Sequence, residues 1–537
     1  MGEHYSASHF ALLSAILHSE SDDPKYLQHA LDAFEFHRHT SADEYRFSEW
    51  MYHWDFQNYA LIEAYARLQG SLSPESKQQW QACLKNWRSN ARNKLSNWAA
   101  MRALALLHRH VLFGSRWDKL GFYRNKTVAL KGEQKNGCLD DERGLSRPIQ
   151  YHVYSAALLH RMFLLNGDPR IGQKFLKSLE FFCAFVDPDG DFNYWGRGQE
   201  QIFGYGAAIY ALTAAARMTG DDQYEELARK VFAFLMGFQN EGHFPLVLNA
   251  HEDHERFGWY DYHHTTVYNA FLGAWLGLAH ESQSANNGKA FAVKPELPRR
   301  KDSQFAFLKN DNFFVGVASG LAHYATEPGL TPCHLWVRNF GWVYSCPGGA
   351  TAAAFGKFYG DKNSLLNFLA PIAVDQSGRL YCPAGRQGVI RHCSENQIIC
   401  SLDYAAFRVN REIDLFDAEI RIQDEILFEE NLDCRELRLV NFPLVVDKFQ
   451  HELGKRDLLI HFENNHLLFH CDIKFSDSRL EALETAKTAK GYTRFFAMRV
   501  KDVQISKGVK FYADIQLKLG TVGSMIPGKS EFEVAST

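Results

Sequence analysis

Five short segments of the sequence concentrate side chains that can exchange protons or bind a carboxylate. They are MYHWDFQNYAL, LSNWAAMRAL, RPIQYHVYSAAL, YWGRGQEQIFGYGAAI and WYDYHHTTVYNAFL, and they recur roughly every 50 residues. Histidine titrates near neutral pH and tyrosine can donate a proton, so both are agents of general acid–base catalysis. Asparagine, glutamine and arginine stabilise negative charge by hydrogen bonding. The combination indicates a site at which protons are exchanged, and it requires no metal or cofactor.

Each of these segments opens an apolar run with helical spacing. From the start of the chain to about Ser282, apolar residues recur three and four positions apart, as in NYALIEAYARL and GAAIYALTAAARM. Gly167 and Gly220 are each followed by an aspartate, which predicts that one helix ends and the next begins there. A repeat of two helices predicts a helical-hairpin array. If alternate helices form an inner ring, the five segments all lie at one rim of a single cavity.

The apolar period changes to two from about Gln304. FAFLKNDNFFVGVAS, LLIHFENNHLLFHCDIKF and GVKFYADIQLKL have the pattern of short strands separated by Asn, Asp and Gly turns. Strands without interleaved helices favour an antiparallel sandwich. The predicted fold is therefore α+β with two domains. An incomplete (α/α) toroid occupies 1–282, a polar linker 283–303 and an antiparallel β-sandwich 304–537.

The amino-acid composition argues against several classes of binding partner. The formal net charge of -4 gives no overall attraction to nucleic acid or to acidic lipid. The ten cysteines form no CxxC pair, and HEDHERF is expected to be a charged loop rather than a metal site. No apolar run has membrane-spanning length, and the start lacks a basic leader. We expect no cofactor, metal, nucleic-acid or membrane partner, and a cytoplasmic location as written, or a periplasmic or secreted one if a leader was removed.

The helical array followed by a β domain resembles the polysaccharide lyases of the α/α-toroid type, the group of heparinase II/III-like, alginate and chondroitin lyases. QYHVYS and WYDYHH are similar to the His/Tyr clusters of these enzymes. The Asn-Asn-His-Gly signature of some alginate lyases is absent, and HWDFQN at 53–58 is the nearest match. The resemblance implies β-elimination beside a uronic acid, and therefore an acidic polysaccharide or oligosaccharide as substrate.

The resemblance also implies a role for each candidate side chain. The carboxylate must be neutralised, a base must remove the C5 proton, and an acid must protonate the leaving O4 oxygen. The candidates for catalysis are His152, Tyr154, His264, Tyr262, Arg197 and Asn58. The candidates for substrate binding are Gln150, His53, Trp54, Asn97, Trp98, Trp195, Gln199, Gln201, His263 and Tyr205. Either His152 or His264 is expected to be the base, and Tyr154 or Tyr262 the acid.

Two other functions fit the same pattern. The stretch 195–198, WGRG, is similar to part of the W-x-R-G-N-G-W motif of unsaturated uronyl hydrolases, although Gln199 and Glu200 replace Asn-Gly. A hydrolase needs paired carboxylates. The available ones are Asp55, Asp140, Asp141, Glu200 and Asp261. A non-catalytic glycan-binding protein is the third possibility.

Overall fold

The computed structural model describes residues 5–44, 53–87, 96–131, 133, 135–141, 148–196, 200–245, 248, 265–284, 304–318, 329–345, 368–383, 386, 388–473, 479–488 and 491–521. The chain divides into two compact units. The first comprises Met1–Asn193, Glu200–Leu248 and Tyr262–Pro298, and the second comprises Tyr194–Gln199, Asn249–Asp261 and Arg299–Thr537.

The described part of the first unit is helical. Its helices are α1 (Ser6–Ser21), α2 (Pro24–Glu44), α3 (His53–Leu68), α4 (Pro74–Lys85), α5 (Ser96–Phe113), α6 (Arg116–Leu130), α7 (Ile149–Asn166), α8 (Pro169–Cys183), α9 (Phe203–Thr219), α10 (Asp222–Met236) and α11 (Thr265–Ser284). None of these helices is both long and apolar enough to cross a membrane.

The predicted helix boundaries at the two glycines are confirmed. Gly167 ends α7 with φ 67°, and Gly220 ends α9 with φ 69°, so both adopt the left-handed conformation that glycine tolerates. The Asp168 and Asp221 side chains then accept the backbone N–H groups of Arg170 and Gln223. These N-caps satisfy donors that the first turns of α8 and α10 leave open.

The odd-numbered helices form an inner ring. Each packs against the odd-numbered helices on either side of it, and α11 packs against α1, so the ring closes. Gly273 permits this closure, because a Cβ there would lie 2.8 Å from Leu13 Cδ2. The even-numbered helices α2, α4, α6, α8 and α10 form an outer layer, each against the inner helix before it. Among the described residues α11 has no outer partner, so the toroid of helix pairs is incomplete, as predicted.

Burial patterns explain the two layers. In the inner helix α9 nearly every residue is buried, whereas the outer helix α10 buries only Tyr224, Ala228, Val231 and Leu235. That spacing is one stripe of an amphipathic helix, whereas a helix that is apolar all round belongs inside. The five polar segments open inner helices because those helices must be apolar along their remaining length.

The described part of the second unit is built from antiparallel strands. They are β1 (Phe305–Lys309), β2 (Phe313–Ala318), β3 (Thr331–Val337), β4 (Gly341–Ser345), β5 (Ile372–Asp375), β6 (Leu380–Tyr381), β7 (Gly388–Cys393), β8 (Gln397–Asp403), β9 (Phe407–Leu415), β10 (Glu419–Phe428), β11 (Leu432–Val445), β12 (Gln450–Leu453), β13 (Asp457–Phe462), β14 (Asn465–Ile473), β15 (Leu480–Thr488), β16 (Gly491–Ile505) and β17 (Lys510–Thr521).

These strands form three sheets around one apolar core. The orders are β1-β2-β3-β4, β12-β13-β14-β17-β10-β9-β8-β7 and β15-β16-β11-β5-β6. In β10 every second residue is buried, which is the period-two pattern of a strand with one face on the core. The core draws on all three sheets, as Leu335, Ile413 and Phe442 show. A helical unit followed by a β-rich unit is the fold class that the sequence predicts.

Candidate active site

The inner helices run in the same direction, so their N-terminal ends meet at one rim. Residues at similar distances from the N-termini contact one another across neighbouring helices. Arg102 of α5 reaches Asp55 of α3 at 2.6 Å, and Arg161 of α7 reaches Glu63 of α3 at 2.7 Å. Side chains in the first turns of α3, α5, α7 and α9 therefore share one end of the ring, which we call the rim.

Four buried amides lie at this rim, and we call them the amide cluster: Asn97, Gln150, Asn193 and Gln201. Asn193 Nδ2 donates to Gln150 Oε1 at 3.2 Å and to the Gln201 carbonyl oxygen at 3.1 Å. Gly204 permits the close packing of α9 on α7, since a Cβ there would lie 2.8 Å from Gln150 Cβ. The bonds of Asn193 join the start of α7 to the segment that leads into α9. The amide cluster brings together two of the predicted binding residues, Gln150 and Gln201, through Asn193. Asn97 lies at the start of α5 and bonds to Asp141.

The amide of Gln201 is the most informative member of the cluster. The residue is 1% exposed, and neither its Nε2 nor its Oε1 has a hydrogen-bonding partner among the residues that the structure describes. The Oδ1 of Asn97 and the Oγ of Ser96 are also buried without a hydrogen-bonding partner among the described residues. A buried polar group without a partner costs about 1–3 kcal/mol, and native structures contain few of them. Such groups at one rim make it a candidate place for a polar ligand.

Aspartates surround the amide cluster. Asn97 Nδ2 donates to Asp141 Oδ1 at 2.5 Å. Asp191 Oδ1 accepts the Tyr205 hydroxyl at 2.8 Å and the backbone N–H of Asn193 at 3.1 Å. Tyr205 is fully buried, so the structure makes it a support for Asp191 instead of the substrate contact that the sequence suggested. These bonds hold the Asn97 amide and the backbone at Asn193 in place.

Asp55 and Arg102 form a buried ion pair across α3 and α5. Arg102 donates to both carboxylate oxygens, through Nε at 3.0 Å and Nη2 at 2.6 Å. Burial raises the pKa of Asp55 to about 6, against the opposing effect of Arg102. A carboxylate held bidentately by arginine is a structural anchor, and neither of its oxygens is free for a proton-transfer role.

His152 is not positioned to act as the base, contrary to one of the two alternatives from the sequence. It is 1% exposed, and both ring nitrogens bind backbone groups. The Leu139 N–H donates to Nδ1 at 2.9 Å, so Nε2 carries the proton and donates it to the Ser178 carbonyl at 2.8 Å. Burial lowers the pKa of His152 to about 4. The imidazole of His152 thus holds α8 and the backbone at Leu139 against α7.

Replacing His152 by alanine is expected to destabilise the protein by about 3 kcal/mol at neutral pH, because two buried backbone groups lose their partner. The folded pKa is depressed, so this contribution is present above pH 6.5. It is lost as pH falls from 6.5 towards 4. Chemical denaturation at several pH values would measure both effects.

The control for this prediction compares how the stability of the wild type and of the alanine variant depends on pH. Between pH 6.5 and 4 the wild type should lose about 1.4 kcal/mol per pH unit more than the alanine variant does. A variant that keeps its stability but loses turnover would restore His152 as a catalytic residue.

Tyr154, the alternative acid, lies in an aromatic environment, and its buried hydroxyl has no hydrogen-bonding partner among the described residues. It is completely buried beneath the rim, with its ring parallel to Phe56 at 6.2 Å and edge-on to Trp275 at 5.7 Å. Burial raises the pKa of the Tyr154 hydroxyl well above its ordinary range. Phe56 in turn stacks on Tyr5 at 4.4 Å. These rings form an aromatic layer that fills the inside of the ring below the amide cluster.

The predicted tryptophan platforms have different surroundings. Trp195 belongs to the second unit, is 2% exposed and meets the Phe305 ring edge-on at 5.9 Å, so it is not open for stacking on a sugar. Trp54 and Trp98, in the first turns of α3 and α5, are partly exposed. Asn58, one turn further along α3, is 9% exposed. These three residues remain candidates for contact with substrate.

Several predicted residues lie outside the described part of the chain. They are Arg197, Gln199, Tyr262, His263 and His264, and the side chain of His53 belongs with them. Their roles therefore stay predictions.

The sequence patterns did not single out Asn193 or the polar groups that line the inside of the ring. Asn193 stands between Phe192 and Tyr194 in a run that lacks helical spacing, and only its contact with Gln150 reveals its place. His9 Nε2 and the Tyr59 hydroxyl lie 2.8 Å apart, joining α1 to α3. Burial lowers the pKa of His9 to about 3, so this ring is neutral. An isolated histidine in an apolar run gives no signal of such a partner.

Glu63 is the centre of a second buried cluster, which we call the Glu63 cluster. Arg161 Nε and Nη2 donate to its two oxygens at 3.0 and 2.7 Å, and Arg67 Nη1 donates to Oε2 at 3.1 Å. His108 Nε2 lies 3.3 Å from Oε1, and Arg67 also pairs with Glu281 at 2.7 Å. Two carboxylates thus balance two guanidinium groups, and the cluster ties α3, α5, α7 and α11 together. It lies further from the rim than the aromatic layer, so we regard it as structural.

Comparison with known proteins places the fold. No family profile matches the sequence, and no curated protein matches it significantly. The structure of the heparan sulfate lyase HepC from Pedobacter heparinus superposes with a TM-score of 0.54 at 10% identity, covering 95% of this chain and 75% of that one.

Two other solved structures have lower TM-scores. A chondroitin AC lyase from Streptomyces coelicolor A3, solved with chondroitin sulphate, has a TM-score of 0.45 at 13% identity, and the match covers 95% of this chain and 74% of that one. A glycosyl hydrolase family 88 protein from Bacteroides vulgatus gives 0.39 at 12% identity and covers 53% of this chain and 92% of its own. The chain therefore has the fold of the heparan sulfate lyase HepC, with a helical part followed by antiparallel β-sheets, which confirms the fold that the resemblance implied.

Proposed function

We propose that the protein is a polysaccharide lyase that cleaves a uronic-acid-containing glycan by β-elimination. The observation that carries this proposal is the Gln201 amide, buried at the rim with neither of its polar atoms bonded within the described residues. A carboxamide donor facing a uronate would stabilise the charge that develops when the proton at C5 is removed. The fold shared with a heparan sulfate lyase supports the same reaction class.

In the proposed reaction the amide cluster binds the uronate carboxylate. Gln201 Nε2 donates a hydrogen bond to a carboxylate oxygen, and Asn193 keeps Gln150 and the Gln201 backbone in place. Asn58 and Arg197 are further candidates for carboxylate binding. A fixed donor requires little reorganisation when charge moves from C5 onto the carboxylate, so it stabilises the transition state more than the ground state.

The proton transfers complete the elimination. A base removes the C5 proton, the C5–H electron pair forms the C4–C5 double bond, and the C4–O4 bond breaks. An acid then gives the departing O4 oxygen its proton. Since both ring nitrogens of His152 bind backbone groups, we assign the role of base to His264, and we assign the role of acid to Tyr262 beside it.

The assay that tests the proposal is the ultraviolet absorbance of a C4–C5 double bond. The wild-type protein is incubated with a panel of uronic-acid polymers, including heparan sulfate, chondroitin sulfate, alginate and polygalacturonate. A rise in absorbance with at least one polymer is the expected result. A fall in absorbance on unsaturated oligosaccharides would instead establish a hydrolase, and binding without either change would establish a glycan-binding protein.

A further inference from the structure

The hairpin that joins α5 to α6 exposes large apolar side chains. Trp117 is 82% exposed and Leu120 is 60% exposed, and Tyr123 follows on the same side of α6. Val111, near the end of α5, is also exposed. Trp117, Leu120 and Tyr123 lie three positions apart, so they form a stripe along the outer surface of α6. A tryptophan with so much exposed surface protrudes from the molecule and does not line a groove.

Positive charge accompanies this stripe. Arg116, Lys119 and Arg124 of α6 are exposed. Asp118, the one acidic residue of α6, is largely buried and accepts from Arg109 Nε at 3.0 Å. We call the set Arg116, Trp117, Lys119, Leu120, Tyr123 and Arg124 the basic–aromatic tip. The tip is positive although the whole chain carries a formal charge of -4.

The tip begins at the end of the toroid opposite the rim. Inner helix α5 runs from Ser96 at the rim to Phe113, and α6 starts at Arg116 and runs back. The rim and the start of α6 are therefore separated by the length of α5, which at 18 residues is about 27 Å. A surface bound at the tip would leave the rim open to a glycan.

The chemistry of the tip favours a lipid surface over the other partners that an exposed patch can have. A polyanionic glycan is bound by cations and hydrogen-bonding groups, and it gains little from Leu120 or Val111. A second copy of this chain would bring a second set of like charges against the first. An anionic bilayer satisfies both features, because arginine and lysine meet the headgroups while the tryptophan, tyrosine and leucine enter the interface.

We propose that the basic–aromatic tip attaches the toroid peripherally to an anionic lipid surface. Net charge and the length of apolar runs predict no membrane partner. Neither of these measures detects a local patch. The proposal is independent of the lyase reaction, so either one can fail without the other.

Flotation of the full-length protein with lipid vesicles tests the proposal. The wild type should bind vesicles of phosphatidylcholine with phosphatidylserine, bind pure phosphatidylcholine much less, and be released by salt. The double variant Arg116→Gln/Lys119→Gln should bind roughly thirtyfold more weakly. This corresponds to about 1 kcal/mol for each cation near an anionic surface. Trp117→Ala/Leu120→Ala should also weaken binding, by about tenfold or more.

A matched control separates the tip from overall charge. Lys501→Gln/Lys507→Gln removes two exposed cations from the second unit and should leave vesicle binding unchanged. The proposal is overturned if the wild type does not float, or if the two charge variants weaken flotation equally. Two further results would identify a different partner when the wild type shows no affinity for vesicles. Weaker binding of the tip variants to soluble heparin would indicate a glycan, and loss of a wild-type dimer in sedimentation would indicate a second copy of the chain.

Discussion

Replacing Gln201 by methionine is expected to lower kcat by about 100-fold or more while leaving the fold intact or slightly more stable. Loss of one fixed hydrogen-bond donor to a developing oxyanion typically has an effect of this size. Stability should rise by up to about 1 kcal/mol, because a buried amide without a partner among the described residues is replaced by an apolar side chain of similar length. Initial rates of double-bond formation and denaturant titration of the same preparations measure the two effects.

Opposite signs for activity and stability make this prediction discriminating. Gln223→Met introduces the same chemical change at an exposed position of α10, and it should alter neither property appreciably. If Gln201 were an ordinary packing residue, its replacement would lower stability and leave kcat unchanged. That result would remove the observation on which the lyase proposal depends.

The sequence predicts the fold well because the signals for it are local. Capping residues such as Asp168 and Asp221 act within two residues of their own position, and the alternation along β10 reports which face meets the core. Both features depend on spacing along the chain, which the printed sequence displays directly. Closure of the ring also follows, since helices that are apolar on all sides need neighbours on all sides.

The candidate site is harder to predict from the sequence, and His152 shows why. A histidine in the first turn of an inner helix has the residue type and place of a catalytic base. Its function is decided by two backbone groups 13 and 26 residues away, at Leu139 and Ser178. Gln201 was predicted for binding by its residue type alone. What distinguishes it is that its amide has no bonding partner in the described part of the chain, and only the three-dimensional surroundings of the amide reveal this. The residue type indicates which chemistry a side chain could perform. Its contacts in the folded protein determine whether the side chain is available for that chemistry.

Replacing Glu63 by alanine is expected to destabilise the protein by about 3–5 kcal/mol at neutral pH. The change leaves the Arg161 and Arg67 guanidinium groups buried without the carboxylate that they share, and an uncompensated buried charge has a cost of this order. Burial opposes ionisation of Glu63, but Arg161, His108 and Arg67 together hold its pKa well below the ordinary value. The contribution is therefore complete above pH 4.5 and is lost as pH falls below it. The free energy of unfolding from denaturant titration at neutral pH measures the main effect.

Two further variants define what the cluster does. Glu63→Gln keeps the size and one acceptor oxygen but not the charge, so it should lie between alanine and wild type if pairing with the arginines dominates. Glu35→Ala removes a glutamate that pairs with Arg38 at 2.7 Å on the surface of α2, where both side chains are more than a third exposed. Solvent screens such a pair, and its loss should alter stability by less than about 1 kcal/mol. Equal losses for Glu63→Ala and Glu35→Ala would mean that the four inner helices are held by apolar packing alone. In that case the buried charges inside the ring would need another explanation.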